Sequence, residues 1–495
     1  MSMKMNMMHT SKLVLAGVAL GMGLMLGSCS SDDEPVLPVD PEVTYKGNVA
    51  YSSGILFNEG KELGNGTQHF HFTGDVVLER GTYLLKGWVY VDAGAKLSIP
   101  AGTIIKGDRQ TMAALIVEPG GYVEMKGTKE APIVMTSAQP AGQRRPGDWG
   151  GLIICGNARN NQQTMQIEGG PTTKHGGNND KDNSGIYRYI RVEFAGYPFD
   201  TDKEINGVTF GSVGSGTTID HIQVSYSNDD SFEWFGGSAD CRYLVAFKGW
   251  DDEFDTDNGF SGNVEYCLSV RDPRIADISQ SNGFESDNNA SGAETTPFTS
   301  ATFKHVTFVG PMTVKNSDFK NSADYITAGD LYPNNGSKLG KFQAAMQIRR
   351  SSKLRIENAL AIGYPIGLIL DGEKGNTVQY AKQWELTLER IIFAGMGVVG
   401  TDKNKLYEDY LFDFATGTED RNCKSFSHTF FLSNPSNKMM TEAELGLADP
   451  FGVGQNCCPA TVLSDGLGGY IGAFKDASDN WLDGWTNFDP QHADY

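Results

Sequence analysis

Along most of this chain, short apolar runs return at intervals of about one solenoid turn, each closed by Gly, Asn or Asp. The run from Trp88 to Ile99 is echoed by Ala114 to Met125 at an offset of 26 residues, which sets Gly94 with Gly120, Leu97 with Val123 and Ile99 with Met125. Each unit reads as a strand, a glycine turn and a second strand, and none can bury its apolar face without the next. Ile133 to Met135 and Leu152 to Ile154 continue the series, with Gly102, Gly107 and Gly127 as corners. Further on, Phe303 to Gly310, Ile356 to Gly363 and Leu388 to Gly395 fall into one register. The pattern predicts an all-β solenoid of stacked coils over 81–407, preceded by an entry segment over 44–80. After Tyr407 the pattern weakens, and a short helix over 441–447 and an aromatic end (Trp481, Trp485, Phe488) suggest a C-terminal cap over 408–495. The polar stretches 156–185, which carries His175, and 311–341 read as long loops outside the core.

The most regular stretch is written three times. It runs Asp229-Asp230-Ser231-Phe232-Glu233-Trp234-Phe235, then Asp251-Asp252-Glu253-Phe254-Asp255-Thr256-Asp257-Asn258, then Ser281-Asn282-Gly283-Phe284-Glu285-Ser286-Asp287-Asn288. Alternation along a strand turns Phe232, Phe254 and Phe284 inward together and Glu233, Asp255 and Glu285 outward together. Asp257 and Asp287 face outward two residues on. At the usual spacing of roughly 4.8 Å between strands this makes a two-column acidic patch. Neighbouring carboxylates there repel by about 1 to 3 kcal/mol. A cation, protonation or a basic partner must offset that repulsion. Carboxylates with the amide oxygens of Asn258 and Asn288 suit a hard ion such as Ca²⁺. The alternative is a solvated acidic face with an Asn ladder in the turns.

The formal net charge of −20 argues against a nucleic-acid partner. Of seven cysteines, Cys155, Cys241 and Cys267 lie in strand-like runs and read as core, while Cys423 has Cys457 or Cys458 as a pairing option. Near the start, Lys4 and Lys12 precede an apolar run, Leu13 to Leu26, too short for a stable membrane span. It ends in Leu26-Gly27-Ser28-Cys29, which resembles a bacterial lipobox and implies a signal peptide over 1–28 with lipid on Cys29. The acids of Ser30-Ser31-Asp32-Asp33-Glu34 resemble the tag that sends such lipoproteins to the outside of the outer membrane. Pro35, Pro38 and Pro41 complete a tether over 29–43.

Gly147-Asp148-Trp149-Gly150-Gly151, the triplicated acidic motif, Gln347-Ile348-Arg349-Arg350 and Gly484-Trp485-Thr486-Asn487-Phe488-Asp489-Pro490 together resemble a family of Bacteroidota surface lipoproteins. The resemblance implies a right-handed parallel β-helix at the cell surface and leaves the activity open. One expectation is a binding protein that holds a glycan against Trp250 or Phe235, or docks to an outer-membrane transporter. Another is a polysaccharide lyase, with a metal on the acids and Arg271, Arg274, Arg349 or Arg350 as base or carboxylate clamp. A hydrolase would need two carboxylates at a set separation. The pairs Asp229/Asp230 and Asp251/Asp252 are superficially of that kind, but no Gly-His-Gly turn or Arg-Ile-Lys strand accompanies them. The third is a scaffold stiffened by Ca²⁺.

Overall fold

The structure is a computed structural model that describes residues 43–46, 49–52, 61–200, 203–333, 335–451 and 454–495. The predicted signal peptide, Cys29 and nearly all of the tether lie outside the described residues. Within Asp40–Tyr495 the chain winds into a parallel β-helix. Two long sheets account for most of its strands, and apart from Val43–Lys46 on Val49–Ser52 their pairings are parallel. Coil strands appear within the stretch read as entry, since Phe70–Phe72 already pairs with Trp88–Val91.

The predicted registers hold. Ala114 lies on Trp88 and Tyr122 on Lys96, while Phe303, Ile356 and Leu388 stack in order. In early coils the second sheet takes two strands per turn, such as Lys96–Pro100 and Ile104–Gly107, separated by a corner at Gly102. From Gly185–Glu193 onward the two merge, because that strand pairs with both Tyr122–Lys126 and Ile133–Ser137. The corner then shrinks to one left-handed residue per coil: Tyr189, His221, Tyr243, Tyr266, His305, Asn358 and Arg390, with φ between 50° and 62°. That conformation is costly for residues with a Cβ. Stacking offsets it here, with ring centroids 4.3 Å apart for Tyr189 and His221, 4.3 Å for His221 and Tyr243, 4.9 Å for Tyr243 and Tyr266, and 5.3 Å for Tyr266 and His305. Gly107 is not a corner. It lies in a strand against Trp149, whose ring a Cβ there would meet at 2.5 Å.

Both covering segments differ from expectation. The stretch 156–185 folds back on the outer face of the first sheet, so Ile167 packs with Trp88, Tyr90, Ile116, Ile153 and Phe235. This accounts for strands such as Ala114–Val117 and Leu152–Cys155 being buried on both faces. The helix Phe426–Ser433 closes the last coils, with Phe431 stacked on Phe393 at 4.1 Å. The predicted short helix forms over Glu442–Leu445. Beyond it the chain runs back along the second sheet: Gly472 N donates to Asn358 O, Asn487 and Gln223 exchange hydrogen bonds, Arg144 donates to Pro490 O, and Tyr495 OH donates to Glu193. Cys457 and Cys458 are buried under this segment, and Cys423 is exposed and not disulfide-bonded.

Phe232, Phe254 and Phe284 share one register position and are fully buried. Their ring centroids are 5.7 and 5.9 Å apart. Phe254→Ala should therefore lower unfolding stability by about 3 to 5 kcal/mol, read as a lower midpoint in urea.

Candidate functional site

The same register that buries the three rings sets Glu233, Asp255, Glu285 and Gln347 in one outward column, and Phe235 and Asp257 in the next. One residue past the paired strands, Asp287, Arg349 and Asp371 extend the second column, with Asp287 N donating to Thr256 O, Arg349 N to Ser286 O and Asp371 N to Ile348 O. The acids do not stand on an open face. Glu233 is buried, Asp255 and Asp257 are partly buried, and distant loops close around them. Asn206, near the end of the 194–207 connection, donates its amide N–H to Glu233. Ser279, from the 271–342 excursion, donates to Asp251 at 2.6 Å.

The preceding residues have a structural task. Asp252 N donates to Asp230 at 2.8 Å, Asn282 N to Asp252 at 2.5 Å and Ala344 N to Asn282 at 3.0 Å, so each side chain caps the next coil. The Asp-Asp pairs noted in the sequence are thus built around this ladder, which uses one oxygen of Asp230. Donor oxygens of Asp230, Glu233 and Asp255 lie within 4.8 Å of one another, as do those of Asp229, Asp230 and Asp251. Oδ1 of Asp255 and Oδ1 of Asp251 are buried with no hydrogen-bond partner.

Charge compensation is uneven along the columns. Arg349 pairs with Glu285 and with Asp287, the latter at 2.9 Å, and Arg350 pairs with Asp287 at 2.5 Å. Among the described residues, no ion pair reaches Asp230, Glu233 or Asp255. Burial, reinforced by neighbouring carboxylates, pushes Asp230, Glu233, Asp251, Asp255 and Asp257 well above the ordinary carboxylate range. Burial also raises Asp252 to about 6 and Glu285 to about 8, in the latter case against the pull of Arg349.

Several sequence expectations are corrected. Trp250 is fully buried against Ile275 and Ala328, and Phe235 lies under the 156–185 stretch, so neither offers a face to a sugar. Arg271 is buried against Glu253 at 2.7 Å and cannot reach a ligand. Asn258 occupies a left-handed corner with φ 53°. Asn288 spends its amide on backbone, donating to Ala293 O and Thr295 O and accepting from Thr299 N. Of the predicted cation ligands, Glu285 and Asp287 are held by arginine, and Asp257 accepts from Asn258 N and stands apart from the carboxylate cluster, which leaves Glu233 and Asp255 joined by Asp230. His175, expected in an outer loop, is buried with Nδ1 2.9 Å from Ser212 Oγ.

The sequence model of the pectate-lyase-like β-helix domain family matches residues 70–430, well over half of the chain. The chain belongs to this family. The match spans most of the coils, the acidic columns and the first part of the closing helix of this pectate-lyase-like β-helix. No curated protein and no solved structure matches the chain.

Because these carboxyls hold protons more tightly folded than unfolded, they favour the fold in acid. Without added cation, stability should fall as pH rises from the unfolded carboxyl range near 4 through about 6 for Asp252 and about 8 for Glu285. Melting in chelator should therefore give a Tm that declines across this window. Added Ca²⁺ should restore Tm at the alkaline end and leave the acid end unchanged.

Proposed function

We propose that this pectate-lyase-like β-helix is a surface lipoprotein, anchored through Cys29 in the outer membrane, that captures an acidic glycan through a divalent cation. The residues that would hold the ion are Asp230, Glu233 and Asp255, and an all-oxygen donor set of this kind suits Ca²⁺. The observation that carries this reading is the buried Asp255 Oδ1, unpartnered inside a carboxylate triad that no basic side chain among the described residues pairs with. The ion would supply positive charge and coordination positions for a uronate carboxylate. Arg349 has its guanidinium on Glu285 and Asp287, so its charge is spent on the neighbouring acids and the triad itself stays uncompensated, which favours a cation over a bare anionic sugar.

Capture fits the geometry better than cleavage. A lyase needs a free base near the proton it removes. Arg271 is sealed in the interior, Arg274 sits against Asp272 at 3.5 Å, and Arg349 and Arg350 are paired with carboxylates. The pectate-lyase-like fold supports a polysaccharide ligand, and oligogalacturonate is the probe its family description suggests.

Calorimetric titration tests the reading. The wild-type chain should bind Ca²⁺, and oligogalacturonate only when Ca²⁺ is present. Asp255→Asn should weaken Ca²⁺ binding at least about tenfold with little change in fold, because it removes one charge from a self-repelling group. Unchanged Ca²⁺ binding in the variant would sink the site, and new absorbance from an unsaturated sugar would replace capture with lyase chemistry.

A further inference from the structure

One residue past the strand Ile366–Leu370, Asp371 extends the column of Asp257, Asp287 and Arg349, its N–H donating to Ile348 O, and beside Asp371 the surface opens into a cavity of about 400 Å³. Gly372, Val378 and Gln379 form one wall, and Phe412, Phe414 and Phe426 supply aromatic rings. Phe412 and Phe414 meet edge to face at 4.8 Å. The backbone there is tied down, since Asp402 accepts from the N–H groups of Phe412, Phe426 and Ser427. That spends the carboxylate and leaves its charge neutralised by oriented dipoles. Lys382 is exposed at the lining, with Nζ 5.3 Å from the centre of the Phe426 ring.

Rings flanked by amide side chains, one ammonium and the Asp413 carboxylate, which accepts from the N–H groups of Ala415 and Thr416 in its own turn, make a chemically mixed pocket. Aromatic faces take the C–H face of a sugar, an amide such as Gln379 takes hydroxyls, and Lys382 takes a carboxylate. Three coils separate Asp255 from the strand Ile366–Leu370, through Phe284–Ser286 and Ala344–Ile348. At the spacing of stacked strands this is roughly 14 Å along the axis, a span that a short oligosaccharide covers.

We infer that this pocket is a second subsite for the same acidic glycan, which receives a uronate ring further along the chain whose carboxylate meets the cation site. The inference rests on the capture reading given above and adds to it the direction in which the polymer lies: parallel to the coil axis, toward the C-terminal coils. It also assigns Phe412, Phe414 and Lys382 a ligand-contacting role.

The test compares a trimer and a hexamer of galacturonate, titrated into the full chain with saturating Ca²⁺. The wild-type protein should bind the hexamer about tenfold more tightly than the trimer. Phe414→Ser and, at an exposed position that does not threaten folding, Lys382→Ala should each erase most of that gain and leave trimer affinity unchanged. If wild-type protein binds both lengths equally, or if the gain survives in both variants, the subsite is refuted while capture at the acidic triad stands. If neither oligomer binds, the capture reading falls and takes the subsite with it.

Discussion

In-register stacking of parallel coils is the constraint from which the rest of this protein follows. A residue in one coil has its register partner in the next roughly 4.8 Å away, so side chains meet their own kind or pay for the mismatch in local electrostatics. Apolar columns profit directly, as the buried phenylalanines do. So do the capping side chains, since Asp230, Asp252 and Asn282 each satisfy a backbone N–H one coil away. Ionised columns lose. Where the chain stacks Glu233, Asp255 and Glu285, it concentrates like charge that the scaffold only partly relieves through Arg349. The site is thus a place where the architecture stores electrostatic stress and where an ion does the most good.

The parts of this arrangement legible in the sequence are those set by spacing within a motif. The phenylalanine register, the offset of 26 between early coils and the outward sense of the acids all depend on strand alternation alone. Burial was less legible, because it is set by segments far away in the chain. Trp250 looks accessible until the 271–342 excursion packs Ile275 and Ala328 against it. Phe235 likewise looks outward-facing, as it is, but the 156–185 stretch covers it. Glycine and asparagine signals carried two meanings that composition does not separate, namely a turn at Asn258 and a close approach at Gly107.

The left-handed ladder from Tyr189 to Arg390 is hard to read in the sequence for a related reason. Its members differ in type and are separated by loops of unequal length, so no fixed period exposes them. The register of Phe303, Ile356 and Leu388 aligns His305, Asn358 and Arg390, but the earlier members come into line through pairing of their flanking residues, Arg188 with Asp220 and Asp220 with Arg242. The ladder also explains why the returning C-terminal segment is aromatic: Trp485 lies edge-on to both Tyr189 and His221, and Trp481 packs on Tyr243.

That returning segment changes what kind of object the solenoid is. A stack in which each repeat touches only its neighbours melts piecemeal from its ends, and its topology stays local. Here residues 472–495 are fastened to coils as far apart in sequence as Asn358 and Lys106. Separation of the coils between Lys106 and Asn358 must then break bonds to one shared strip of chain, so that part of the array behaves as a single cooperative unit. Such a unit acquires its final rigidity only after residues 472–495 have been laid down along its length.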